Sequence, residues 1–411
     1  MVRCLRSSTG ITALLALIVV AGCGGPRLGE EAESGGPFRV FFTADLTGAS
    51  AALSRGLLSG MRVAVDSANA AGGIGGRPVV LDVNNDQNDP TKAVSALQER
   101  INSGSAPSLV YPGGSSAVAL SLLPITTRSG ILSMGATVAA QLNDPAKFPY
   151  HFGTAEPTAA YIPPFVDVAR SHGFTKIAMI YSNDSTGRAT EAGYRRDLQA
   201  AGLDFQSVGF PADALDVTPQ LAQLQAGHPD ALIFEGYGAP AQYIIRSRAG
   251  MRWTIPSFST QLSATYPFVH NFSPAQLEGV RVIQANWTVD EGRTPAEMST
   301  FIAQVKQTPE GQSLTETGVR MPVVAAATVQ LVSYAAAHNG GKTDTESLIK
   351  ALYKLPVDGA GATPWVTDSK GPNIYRFTPE NHFLTAPSQM FVYVDPGAFD
   401  AQGMYVPGKR S

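Results

Sequence analysis

The feature that most constrains this chain is its alternation of strand-like and helix-like segments. Phe38 to Phe42 (FRVFF) is a short β-rich run. Leu57, Met61, Ala64, Val65 and Ala68 then fall at helical spacing, and Val79 to Val83 is strand-like again. Val94, Leu97 and Ile101 make a second helical stripe, followed by the strand-like Leu109-Val110-Tyr111. This βαβα order predicts a parallel sheet with helices on both faces. The order restarts near residue 160. Lys176 to Tyr181, Ala231 to Phe234, Ile255 to Phe258 and Val280 to Gln284 read as strands, and Glu191 to Ala201 as a helix closed by Gly202. Two doubly wound α/β lobes of similar design are expected, with the largest crevice between them. Val323 to Ala337 is apolar almost all round and reads as a buried helix, with Gln330 and Ser333 arguing against a membrane span. Met390 to Val394 is read as a last strand.

The amino terminus stands apart. Arg3 and Arg6 precede a ten-residue apolar core, Ile11 to Val20, interrupted by Thr12, and then Ala21-Gly22-Cys23. That run suits a secretory signal peptide at 1–22. Small residues before a cysteine resemble a bacterial lipobox, which implies lipid modification of Cys23; an ordinary signal peptide abutting a cysteine is the alternative. Cys4 would leave with the signal, so Cys23 would be the sole cysteine and no internal disulfide could form. Residues 24–37 (GGPRLGEEAESGGP) read as a flexible tether. The net charge of −3 gives no basic footprint for nucleic acid or for anionic lipid.

Several chemistries fail on context. Residues 69–90 (NAAGGIGGRPVVLDVNNDQNDP) hold four glycines in five positions, but a helix precedes them and a strand follows, the reverse of a dinucleotide fingerprint. Gly72 or Gly73 is therefore expected to stop the helix, and Gly75-Gly76 to turn the chain. A calcium loop starting at Asp82 would want Gly and Glu where Gln87 and Ala93 stand, so Asx turns and a helix cap are expected instead. Gly113-Gly-Ser-Ser-Ala117 lacks the last glycine of a nucleophile elbow. The six histidines show no metal-ligand spacing, and no cofactor motif is present. One local feature does suggest binding. Tyr111-Pro-Gly-Gly-Ser115-Ser116 follows a strand and opens a helix, so hydroxyls and helix N–H groups could receive a carboxylate. Ser115 acting only as a helix cap is the plainer alternative. Met134-Gly135-Ala136-Thr137 is a second strand end of the same kind.

With these segments placed, FFTADLTGASAALSRGLLSGMRVAVDSANAAGGIGGRPVVLDVNNDQNDPTKAV resembles the amino-terminal signature of type I periplasmic binding proteins. The leucine/isoleucine/valine-binding proteins of ABC importers are the group it resembles most. YPGGSSAVA, SGILSMGAT, KFPYHFGTA and KIAMIYSNDSTGRATEAGYRRDLQAAG follow in that family's order. The resemblance implies two lobes joined by three crossings, expected near 154–160, 283–289 and 358–366, closing by a hinge on a small solute that is passed to a membrane permease. Lobe I is then 38–156 plus 286–362, lobe II 157–285 plus 363–400, and 401–411 a carboxyl-terminal tail. It implies that Ser116, with Ser115 beside it, and Gly135 and Thr137 hold the solute's carboxylate, and that Leu53 lines the pocket. In lobe II, Thr186 and Tyr237 match pocket positions. Gln261 falls where amino-acid binders place an acid for the ammonium, and Thr158 where many carry Asp; Glu156 or Glu235 could supply a carboxylate instead.

The sequence thus leads to an extracytoplasmic, lipid-anchored solute-binding protein of an ABC importer, without catalytic, metal or cofactor sites, taking a branched-chain amino acid or related carboxylate. A ligand-sensing receptor domain of the same fold is the alternative, and a cleft enzyme a more distant one. Replacing Cys23 by Ala should move the protein from the membrane to the soluble fraction; unchanged sedimentation with membranes would refute the anchor.

Overall fold

The computed structural model describes residues 36–48, 50–211, 213–236, 239–261, 263–265, 268–290, 296–355 and 375–408. The signal peptide, Cys23, the tether, Tyr237 and the crossing expected near 358–366 lie outside these residues. In the first lobe, β1 (Phe38–Ala44), α1 (Ala51–Ala70), β2 (Val79–Asn85), α2 (Pro90–Asn102), β3 (Leu109–Tyr111), α3 (Ser116–Ser129), β4 (Leu132–Gly135) and β5 (His151–Gly153) follow in order. The sheet runs β2-β1-β3-β4-β5, all parallel. The second lobe repeats the design with α4 (Ile162–His172), β6 (Lys176–Ser182), α5 (Ser185–Ala200), β7 (Asp204–Phe210), α6 (Thr218–Gln225), β8 (Ala231–Glu235), α7 (Ala239–Gly250), β9 (Ser257–Ser259) and β10 (Val280–Ala285). Its parallel strands lie in the order β7-β6-β8-β9-β10. In each sheet the order reverses once, between β1 and β3 and between β6 and β8. Those switch points are where open α/β sheets bind ligands.

After β10 the chain returns to the first lobe. It forms α8 (Ala296–Gln307), α9 (Ser313–Thr317), α10 (Arg320–His338) and α11 (Thr345–Leu352). α10 lies along α1, and nearly all its apolar residues are buried in the core shared with Phe38, Val40 and Phe42 of β1. Its length and composition would allow it to cross a membrane, but its burial marks it as a core helix. Local signals set the helix ends. Asp89 caps α2 by accepting from the Thr91 N–H at 2.8 Å, with Pro90 at the first helical position. Gln87 and Asn88 just before it take left-handed φ values of 55° and 59°, so the Asp/Asn run is a turn. α1 ends ahead of Gly72 and Gly73, with φ of 97° and 87°.

The carboxyl-terminal part differs from expectation. Tyr375, Phe377 and Leu384 still pack in the first lobe's core, and Phe383 bridges to Gly153 of β5. Among the described residues after α11, the chain joins the second lobe at β11 (Phe391–Val394), antiparallel to β10, with Phe391 in that lobe's core. A passage between the lobes therefore falls between Leu384 and Phe391. Part of the expected tail, β13 (Tyr405–Pro407), instead pairs with β12 (Gly397–Phe399), and its Tyr405 is buried and bridges to Val289.

α1 and α10 approach so closely that a Cβ on Gly60 would lie 1.8 Å from the Pro322 carbonyl oxygen. Gly60→Ala should therefore force the helices apart and cost about 1–3 kcal/mol, outweighing alanine's better helix propensity. Gly250→Ala, with open space around the new methyl, should leave the urea midpoint unchanged or slightly raised. Equal midpoints for the two variants would refute this account.

Candidate functional site

At the first lobe's switch point the structure brings together the two strand ends singled out in the sequence. Gly113 turns the chain out of β3 with φ of 63°, and a Cβ there would meet the Thr43 carbonyl of β1 at 2.8 Å. The glycine is required by both backbone and space. Ser115 caps α3, its hydroxyl accepting from the Val118 N–H at 3.5 Å, and Ser116 is the half-exposed first residue of that helix. Leu53, half-buried on α1, leans over the same turn: its Cδ2 would be 3.1 Å from a Cβ on Gly114. Gly135 at the end of β4 abuts Pro112. Leu53, Ser115, Ser116 and Gly135 thus form one polar-rimmed corner at the amino end of a fourteen-residue helix, a favourable seat for an anion.

Thr137 belongs to the same strand end but does not present its hydroxyl. It is fully buried, and its Oγ1 bonds His151 Nε2 at 3.0 Å, while Ser133 holds His151 Nδ1 at 3.0 Å. Burial, reinforced by neighbouring His382, pushes the His151 pKa down to about 3, so the ring is neutral. The threonine hydroxyl serves the core.

In the second lobe, Thr186 is exposed in the first turn of α5, where Asp184 accepts from its N–H at 2.9 Å. Gln261 follows β9 and sits elsewhere, in a network that joins the lobes. Glu156, on the passage from β5 to α4, forms an ion pair with Arg320, the first residue of α10; their side chains are only 2% and 13% exposed. Arg320 Nη2 also donates to the Tyr161 hydroxyl at 3.0 Å. Gln261, oriented so that its carboxamide oxygen faces these donors, accepts from Arg320 Nη2 at 2.8 Å and from Tyr161 at 3.3 Å. Burial opposes the Arg320 charge, but the Glu156 carboxylate outweighs it and holds the guanidinium pKa above its usual value. Burial, first of all, raises that of Tyr161. The network is therefore a neutral unit with one cation and one anion. It borders a pocket lined from both lobes by Tyr161, Gln261, Gln284, Thr317, Arg320 and Phe399, among others.

Glu235, at the carboxyl end of β8 and the second switch point, is 2% exposed. Burial, with the nearby charge of Asp184, pushes its pKa up to about 8, so it is mostly protonated at neutral pH. Arg320 and Tyr161 went unnoticed in the sequence. An arginine at the mouth of the apolar helix 323–337 was the one available signal. Among the described residues, no group of His, Cys, Asp and Glu is arranged to hold a metal.

Residues 37–397 match the family described as "Periplasmic binding protein". No curated protein matches the chain. Solved structures with the same fold include a solute-binding protein of an ABC transporter from Rhodopseudomonas palustris BisB5 in complex with 3,4-dihydroxybenzoic acid. It is 18% identical, with a TM-score of 0.67, covering 85% of this chain and 90% of its own. A solute-binding protein from R. palustris in complex with 4-hydroxybenzoate has the same identity and TM-score, covering 85% and 91%. An extracellular ligand-binding receptor from R. palustris HaA2 reaches a TM-score of 0.71 at 17% identity, covering 91% and 100%.

Replacing Arg320 by Met strands the Glu156 carboxylate in the interior and should cost about 3–5 kcal/mol. Adding Glu156→Gln should recover a large part of that loss. Equal urea midpoints for wild type and Arg320→Met would show that the pair is not the buried unit described.

Proposed function

The chain belongs to the periplasmic binding protein family, and from that premise we propose that it captures a small carboxylate lacking an α-amino group and delivers it to an ABC permease. The family is one of solute-binding, non-catalytic proteins. In this reading the lobes close by a hinge over the solute, and a lipid on Cys23 holds the protein outside the membrane. Ser116, Ser115, Gly135 and the amino end of α3 receive the carboxylate, Leu53 covers it, and Thr186, Tyr237 and Gln261 contribute from the second lobe.

One observation carries the choice of solute. A desolvated ammonium needs an uncompensated carboxylate. Glu156 is already neutralised by Arg320, Gln261 is an amide bonded to that same arginine, and Glu235 is mostly protonated at neutral pH. None of these three groups thus offers an α-ammonium a free negative charge. The two structural relatives that hold 3,4-dihydroxybenzoate and 4-hydroxybenzoate carry carboxylates without an amino group, which supports an aromatic acid as the solute class.

The test is a thermal-shift comparison on protein stripped of co-purified solute. Aromatic carboxylates at a hundred times their Kd should stabilise the fold by about 2.7 kcal/mol, read as a rise in Tm. Leucine, isoleucine and valine at equal concentration should leave Tm unchanged. An amino acid that stabilises the protein as strongly as the acids would overturn the assignment.

A further inference from the structure

Behind Gln261 the second lobe contains a small recess that the network above does not fill. It is lined by Thr158, Tyr161, Thr190, Tyr194, Thr260 and Gln261, and has room for about one water-sized group. Tyr161 and Gln261 also border the pocket lined from both lobes. The recess is thus a side chamber of that pocket, separated from it by two side chains.

Its polar lining is not internally satisfied. Thr260 is 2% exposed, and its Oγ1 has no hydrogen-bond partner. Glu235, which does not itself line the recess, is equally buried, and its Oε2 likewise has none. Strand register makes these two neighbours: Ile233 and Phe234 of β8 pair with Phe258 and Ser259 of β9, and the Thr260 N–H donates to the Phe234 carbonyl at 3.0 Å. Glu235 and Thr260 therefore continue the sheet face carrying Ile233 and Phe258, on which Tyr194 also packs. Leaving such atoms unpaired costs free energy, so a buried hydroxyl and a buried carboxyl side by side call for a partner. The missing partner has three properties. It is about the size of one water, it both donates and accepts, and it is uncharged, because the surrounding threonines and tyrosines carry no charge.

We propose that this recess receives a hydroxyl group of the solute, with Thr260 as its direct partner and Glu235 completing the hydrogen bonding, so that the protein selects hydroxylated carboxylates over their unhydroxylated counterparts. The proposal rests on the carboxylate reading above for the other end of the molecule. A pocket built to bond a hydroxyl discriminates strongly against the analogue lacking it, because its own buried groups are then left unpaired. Thr190 is occupied by the Thr186 carbonyl at 2.9 Å. Gln261 and Tyr161 are held by Arg320, which leaves Thr260 and Tyr194, whose hydroxyl is likewise buried without a partner, as the hydroxyls in the recess wall open to a solute.

Titration calorimetry with benzoate, 4-hydroxybenzoate and phenol tests this on the wild type and on Thr260→Val, Glu235→Leu and Glu235→Gln. The readout is the ratio of the benzoate Kd to the 4-hydroxybenzoate Kd, which a general loss of fold or affinity does not move. The ratio should be at least about ten in the wild type. It should fall to near one in Thr260→Val and Glu235→Leu, and Glu235→Gln, whose carboxamide still donates and accepts, should retain most of it. A wild-type ratio near one, with both acids bound, leaves the carboxylate reading standing and overturns the hydroxyl site: the recess then holds only water. A ratio that survives Thr260→Val overturns it as well. If neither acid binds, the carboxylate reading fails, and phenol decides the recess alone. Phenol binding abolished by Thr260→Val supports the hydroxyl site, and no phenol binding refutes it.

Discussion

The buried ion pair between Glu156 and Arg320 is the interaction on which the arrangement of the site depends. Glu156 lies on the passage from the first sheet to the second lobe, and Arg320 opens the helix that fills the first lobe's core. Two charges removed from water are tolerated only when each neutralises the other and the remaining donors and acceptors are met. Tyr161 and Gln261, both from the second lobe, meet those of the Arg320 Nη groups, while its Nε is left without a partner. A displacement of the second lobe would take Tyr161 and Gln261 away from this pair. The network therefore couples the docking of α10, the course of the first crossing and the position of the strand end that carries Gln261.

The same pairing sets the electrostatics of the cleft. A carboxylate that is already compensated no longer attracts a cation, and an amide attached to the arginine adds no charge of its own. Beside the carboxylates of Asp45 and Asp184, which follow β1 and β6, stand neutral hydrogen-bonding groups: the Ser115–Ser116 turn in one lobe, and Thr260 with a largely protonated Glu235 in the other. Selectivity in such a site comes from matching hydrogen bonds and from the cost of leaving them unmade.

Much of the fold was legible because its signals are local. Helical stripes repeat every three or four residues, and the Asp89 and Ser115 caps act on N–H groups two or three residues away. The restart of the strand–helix order near residue 160 reappears as the same strand order in both sheets. The Ser115–Ser116 turn and the Gly135 strand end stood out for the same reason, since each sits where a strand ends, whereas Leu53 came from the family resemblance. Reading failed where local appearance and long-range use diverge. Thr137 looks like any polar strand end, yet His151 claims its hydroxyl across the sheet. The segment after residue 400 looks like a tail, yet Tyr405 finds a buried seat beside Val289.

By itself the sequence determined the two α/β lobes, most of their strands and helices, and the turn at which a solute's anionic end would be sought, because backbone preference and hydrophobic period act within a few residues. Tertiary structure alone decided which charges cancel and which polar atoms are left wanting. Arg320 meets Glu156 across 164 positions of chain, and Glu235 meets Thr260 only through the register of two strands. Such pairings follow from how sheets and helices dock, and no local pattern of residue types records that.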